Sequence, residues 1–227
     1  MKALQKFGGF AALYMALAHL MGLIIFVVIL DYISITDLAQ KVAMNVDKQA
    51  IVFSTNLLMY VFFGFFLIVF VLALYNRLNA GAPALMQVAT VIGIIWAGSL
   101  IASGMVANAA LTSVVALNAT DPAQAALTWQ GIEPVIDGLG NANGEILGGL
   151  MTLLISLAAL RSGELPKGLN ILGIVVGAVG IVTIIPALNA LVAVFGLGQI
   201  LWFIWMGIVL LRSNPGKAAA SEILRLA

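Results

Sequence analysis

The chain has 227 residues, of which 63% are hydrophobic and 8% charged, with a net charge of +1 and no cysteine. A soluble domain carries about 25% charged residues, so this composition excludes an ordinary water-facing surface and is tolerable where lipid is the solvent. The missing cysteines remove disulfides, thiolate metal sites and cysteine nucleophiles, and the near-neutral balance leaves no basic field for nucleic acid.

Six apolar runs follow one another, at about 7–30, 51–75, 84–110, 139–160, 169–186 and 191–211. Each reaches the ~17 residues that a helix needs to cross a bilayer. Backbone groups in lipid must bond within their own segment, so the runs are expected as helices. The predicted fold is all-α: one bundle of six transmembrane helices with two short extracytoplasmic amphipathic helices.

The first run begins after Lys2 and Lys6 and is too long for the hydrophobic part of a signal peptide. No small-residue cleavage site follows it, so it is expected as a retained first span. The second run carries Phe53, Phe62, Phe63, Phe65, Phe66 and Phe70 over most of its faces, which predicts extensive contact with lipid. The third stays apolar to about Leu117. It is too long for one straight crossing, so it is expected to tilt, to bend (Gly104 and Asn108 are the candidate places) or to project beyond the membrane, with its end near Asn118 in the far interface.

Two connecting segments carry helix-start signals. Asp37 with Gln40 three residues on, then Leu38, Val42 and Val46, predicts a short amphipathic helix lying on the outer surface. Asp121, Pro122 and Gln124 predict a second, ending before Gly138. In the last spans, Arg161 and Gly163 mark a helix C-terminus, and Pro166 stops the helix from resuming.

Eight of the ten lysines and arginines fall on one side of this topology (Lys2, Lys6, Arg77, Arg161, Lys167, Arg212, Lys217 and Arg225). Only Lys41 and Lys48 fall on the other. The positive-inside rule then places both termini in the cytoplasm of a multi-pass protein of the cell membrane. Three inverted spans on each side of a central loop is a transporter pattern, but the halves share no recognisable sequence.

Small residues predict where helices approach closely. Gly144, Gly148 and Gly149 lie in the fourth run, Gly173, Gly177 and Gly180 in the fifth, and Gly98, Ala102, Ser99 and Ser103 in the third. Trp129, Trp202 and Trp205 are candidate interfacial anchors. The depth of the last two favours packing instead, with an indole N–H in need of a partner.

The polar groups inside the runs are few: His19, Asn56, Asn108, Asn141, Asn143, Glu145 and Gln199. Nearly all fall in the outer half, which predicts either a polar pocket reached from outside or a hydrogen-bonded plug joining the helices. Glu145 is the most costly to place in lipid. It reads either as a carboxylate in the first turns of a helix capped by Asn141, favoured there by the macrodipole, or as a functional group. His19, the single histidine, reads as a core residue or as a proton acceptor paired with Glu145 or Gln199. One histidine supplies neither a bis-histidine haem site nor a complete metal set, and no cofactor is expected. The chain lacks a phosphate-binding loop, a nucleophile elbow and an HExxH motif.

Gly148-Gly149-Leu150, the turn Leu160-Arg161-Ser162-Gly163-Glu164-Leu165-Pro166, and Asn170-Ile171-Leu172-Gly173-Ile174-Val175-Val176-Gly177 form one set of motifs. With Phe195-Gly196-Leu197-Gly198-Gln199 and Trp202-Phe203-Ile204-Trp205-Met206-Gly207-Ile208-Val209-Leu210-Leu211 they resemble the bacterial membrane-protein family catalogued as domain of unknown function 4386. That resemblance implies a six-span bacterial membrane protein and supplies no activity, ligand or catalytic residue. The functional expectation is a non-enzymatic membrane protein that binds a small or lipidic ligand in the outer pocket, or serves as an accessory subunit. The alternative is a proton-coupled transporter using Glu145 and His19; an intramembrane enzyme ranks last.

Overall fold

In the computed structural model, which describes residues 2–140 and 144–212, the described chain is helical and contains no strand. The helices in chain order are α1 (Lys2–Leu23), α2 (Leu38–Asp47), α3 (Gln49–Asn56), α4 (Phe63–Leu78), α5 (Pro83–Asn118), α6 (Pro122–Gly140), α7 (Ile146–Ser162), α8 (Lys167–Val182) and α9 (Val192–Arg212). Wider π-helical segments prolong α1 over Ile24–Ile29 and join α3 to α4 over Leu57–Phe62. A 3-10 segment, Pro186–Leu191, leads into α9.

Four of these passes are long and apolar enough to cross a membrane: Lys2–Ile29, Gln49–Leu78, Pro83–Asn118 and Pro186–Arg212. Helices α7 and α8 are apolar but shorter. The apolar residues that remain exposed, among them Phe7, Phe10, Val28, Phe65, Val91 and Leu201, occur along every long pass. An exterior of this kind suits lipid and would aggregate in water.

One end of the bundle holds the start of α1 and the end of α9, tied by Gln5 Nε2 donating to Leu210 O at 2.9 Å. The same end holds the loops after α4 and after α7. Arg77 donates to Glu164 O at 2.9 Å, and a Cβ on Gly81 would lie 2.5 Å from that of Ser162. We call this the near end; α2 and α6 lie at the far end.

Close approach is built on glycine, as the small-residue pattern predicts for α7 and α8. A Cβ on Gly149 would stand 2.8 Å from Gly177 O, and one on Gly177 would stand 2.6 Å from Leu153 N. A second glycine contact, between α1 and α9, pairs Gly9 with Gly207 O and Gly207 with Gly9 O at 3.0–3.1 Å from the added Cβ. Gly98 is a correction: nothing lies within 4 Å of its would-be Cβ.

The aromatic core also departs from the simplest reading of the second run. Phe53, Phe62, Phe65 and Phe66 are exposed, but Phe63 and Phe70 are buried. Both stack edge-on against Phe203, and Phe70 also against Trp202. Trp202 is fully buried and its Nε1 has no partner, whereas Trp205 stays partly exposed beside Gly168.

Helix α5 runs unbroken for 36 residues, about 54 Å at 1.5 Å per residue. Gly104 and Asn108 do not interrupt it. Gly104 admits the preceding pass instead, with Tyr60 Cβ 2.7 Å from its would-be Cβ. The extra length of α5 is clothed by α6 and α2. Asp37 and Asp121 accept from Gln40 N and Gln124 N at 2.8 and 3.0 Å, the expected caps. Helix α2 does not lie free on a surface. Its Val42 is buried with Ala110, Val114, Ala125 and Trp129 in a small far-end core, so Trp129 is a core residue and not an anchor. Helix α6 continues through Gly138 to Gly140, across an internal Pro134. Beyond the glycine turn at Gly163 (φ +70°), α8 starts directly after Pro166, as expected.

Candidate functional site

The fourth stretch of the bundle is discontinuous. Helix α6 packs antiparallel along the far part of α5, with Ser103 Oγ donating to Ile136 O at 2.9 Å and Ser99 Oγ donating to Leu139 O. These hydroxyls tie α5 to carbonyls in the last described turn of α6. Helix α7 takes over along the remainder of α5, where Gly148 sits on the Trp96 ring and Met151 approaches Gly93. Residues 144 and 145 lie at this break. Gly144 has φ +137° and rests on the backbone of Ile184. Glu145 occupies the N-cap position of α7, and its N–H donates to Thr183 Oγ1 at 2.8 Å.

A cavity of about 140 Å³ opens at the break. It is lined by His19 of α1, Met59, Tyr60 and Phe63 of the second pass, Trp96 and Leu100 of α5, Gly140 of α6, and Glu145 opening α7. The π-helical turn over Leu57–Phe62 supplies two of these side chains, and such turns recur at functional sites because they re-aim side chains out of the helical register. Gly22 makes room for the same turn, since its would-be Cβ would overlap Met59.

Inside the cavity the polar groups are left largely free. His19 Nδ1 lies 3.1 Å from Met15 O. As the donor of that bond it leaves Nε2 as the second ring position, a donor when protonated and an acceptor when neutral. The ring packs edge-on against Phe63, with centroids 4.9 Å apart. The Glu145 carboxylate makes no hydrogen bond with the described residues and does not cap its own helix. The Trp96 indole Nε1 is buried without a partner. Orphaned polar groups beside a void of this size call for water or a ligand.

The seven polar residues singled out in the sequence are divided among separate places. His19 and Glu145 share the cavity but are not hydrogen-bonded to one another. Asn56 Nδ2 donates to Asn108 Oδ1 at 3.0 Å, and Asn108 Nδ2 to Phe53 O at 3.2 Å, clasping the second pass to α5. Gln199 is fully buried and pairs with Thr152 Oγ1 at 3.0 Å, clasping α9 to α7. Asn141 and Asn143 lie outside the described residues. The expectation that Asn141 caps a helix with Glu145 in its first turns is corrected in one respect: the helix starts at Ile146, with Glu145 itself at the cap. Tyr60, Trp96, Met59 and Phe63 line the cavity without having been marked by sequence. Only the position of Tyr60 opposite Gly104 offered a hint, and it required knowing which helices are neighbours.

A second polar cluster sits at the far end. Glu133 Oε1 accepts from Tyr32 Oη at 2.5 Å and from Lys41 Nζ at 2.8 Å, and Lys41 lies 5.2 Å from the centre of the Tyr32 ring. Burial pushes the Glu133 carboxyl up, but the hydrogen bonds from Lys41 and Tyr32 outweigh it and hold the group below the usual carboxylate range. Burial and the adjacent Glu133 raise the Tyr32 phenol.

No group of three or more metal-ligating side chains forms among the described residues. The class these features define is a membrane-compatible, all-helical bundle with a small polar cavity at a helix break. Comparison with family models, curated proteins and solved structures gives no match for this chain.

Proposed function

We propose that the protein is a six-pass membrane protein, of the bacterial family its C-terminal half resembles, and that its function is to bind a small ligand in the cavity between His19, Tyr60 and Glu145. The observation that carries this reading is convergence. Polar side chains from three separate passes meet at one helix break, where the carboxylate has no hydrogen-bond partner among the described residues. A carboxylate inside a bilayer costs about 2.5–3.5 kcal/mol, which favours a use for it beyond packing. Size selects among ligands: a cavity of about 150 Å³ accepts a benzene ring, so this one suits a compact molecule and not an acyl chain.

Six passes follow if the last turn of α6 joins α7 in the bilayer and α8 returns to the far side. The near end, with most of the basic residues, then faces the cytoplasm, and the cavity lies in the outer half of the membrane. Carriers place substrate at discontinuous helices, so the α6–α7 break also favours a second reading, a carrier in which Glu145 takes part.

The cysteine-free chain allows a direct test. Single substitutions Lys2→Cys, Thr120→Cys and Leu100→Cys are exposed to a membrane-impermeant thiol reagent in intact cells. Thr120→Cys reacts at once, Lys2→Cys reacts only after permeabilisation, and Leu100→Cys reacts slowly from outside. Reaction of Lys2→Cys from outside overturns the orientation. Complete protection of Leu100→Cys, in cells and in detergent, overturns the accessible cavity.

A further inference from the structure

We infer that the cavity at the α6–α7 break is selective for a small organic cation, an ammonium ion of about five or six non-hydrogen atoms. This rests on the reading of the cavity as a ligand site and adds its chemistry. Of the eight lining residues, Glu145 is the carboxylate, and no lysine or arginine is among them. Three more, Tyr60, Phe63 and Trp96, are aromatic. Aromatic rings attract a cation through the negative potential of their faces, with Trp the strongest, and the attraction grows when water is excluded.

The N-terminal pole of α7 is partly occupied, because the Glu145 N–H is bound to Thr183 Oγ1. An anion would therefore meet a carboxylate with no lysine or arginine among the lining residues to offset it. A neutral ligand would leave the Glu145 carboxylate unpaired. A bare metal ion would find one carboxylate where a cage of oxygens is needed. An alkylated ammonium matches a single carboxylate surrounded by ring faces, and its loose hydration lowers the cost of entering an apolar site. A water sharing the void would accept from the orphaned Trp96 Nε1.

The test is equilibrium dialysis of radiolabelled tetramethylammonium against the purified full chain in detergent. The neutral tert-butyl alcohol, of nearly the same shape, serves as competitor, and Leu100→Trp, which fills the cavity, sets the background. Saturable binding of tetramethylammonium is expected in the wild type. It should weaken by about tenfold or more in Glu145→Gln and stay within about threefold in Glu145→Asp. Competition by tert-butyl alcohol should be weaker by a similar factor. Tyr60→Leu, which removes a ring and leaves the charge, should weaken binding about threefold or more; it carries the test if Glu145→Gln fails to fold. Equal binding of the two probes, or binding unaffected by Glu145→Gln or Tyr60→Leu, overturns the cation selectivity and leaves a small-ligand site standing. Failure of both probes while Leu100→Cys remains reactive also overturns it. Failure of both with Leu100→Cys fully protected removes the ligand site as well.

Discussion

The near and far ends of the bundle are held together by different chemistry. At the near end and along α7, α8, α1 and α9, backbones meet chiefly through glycine and apolar filling: Gly149 on Gly177, Gly9 on Gly207, Phe70 between Trp202 and Phe203. Gln5 on Leu210 O, Arg77 on Glu164 O and Gln199 on Thr152 are the polar exceptions. At the far end and around the break, side-chain hydrogen bonds do the joining: Asn56 with Asn108, Ser99 and Ser103 with the end of α6, Tyr32 and Lys41 with Glu133. Glycine contacts use no polar group and tolerate no added atom. Polar contacts tolerate change of volume but not loss of a partner. The cavity lies where the two kinds of contact meet, at the break between α6 and α7.

Substitutions at the two ends should fail in these different ways. The largest effect is expected at the glycine seam. Gly149→Leu drives a side chain into the α8 backbone, and overpacking of this kind costs about 3 kcal/mol. Denaturant titration in detergent should show that loss; a shift under 1 kcal/mol would mean that α7 and α8 are not in contact there.

Next comes the asparagine clasp. Asn108→Ala leaves the buried Asn56 amide without its partner, at a cost of about 2 kcal/mol. The double variant with Asn56→Ala should lose less than the two single changes together. Strict additivity in that cycle would show the two amides to be independent.

Third is the far-end cluster. The Glu133 carboxyl is held below its usual range in the folded chain. Its contribution is therefore complete above the unfolded carboxylate range and is lost as pH falls through the lower, folded value. Lys41→Met should cost about 1 kcal/mol at neutral pH, and the difference from wild type should shrink in acid. Thermal unfolding across that range reads it, and a difference that grows in acid would reverse the assignment.

The smallest effect tests the exception among the glycines. Gly98 faces open space within its helix, so Gly98→Ala should stabilise by about 0.5 kcal/mol through helix propensity alone. A destabilisation there would reveal a neighbour that the monomer does not contain.

Much of the outline was legible in the residues. Long apolar runs specify helices because lipid offers no partner to a free backbone group, and Asp37, Asp121, Gly163 and Pro166 mark helix ends by local bonding that needs no neighbour. His19 and Glu145 stood out because a polar group in an apolar run is costly wherever it ends up. The division of the remaining polar residues was not legible. Asn108 and Gln199 look alike in sequence, but one reaches Asn56 and the other Thr152.

Composition and run length by themselves determined that the chain is helical and suited to lipid, since both follow from the solvation of backbone and side chains one segment at a time. Only the tertiary structure decided that the fourth stretch breaks beside an unbroken α5, that Phe63, Tyr60 and Trp96 close around the break, and that Gly98 is left idle while Gly104 is filled. Those outcomes depend on which helix faces which, and a face is chosen by the fit of all the helices together.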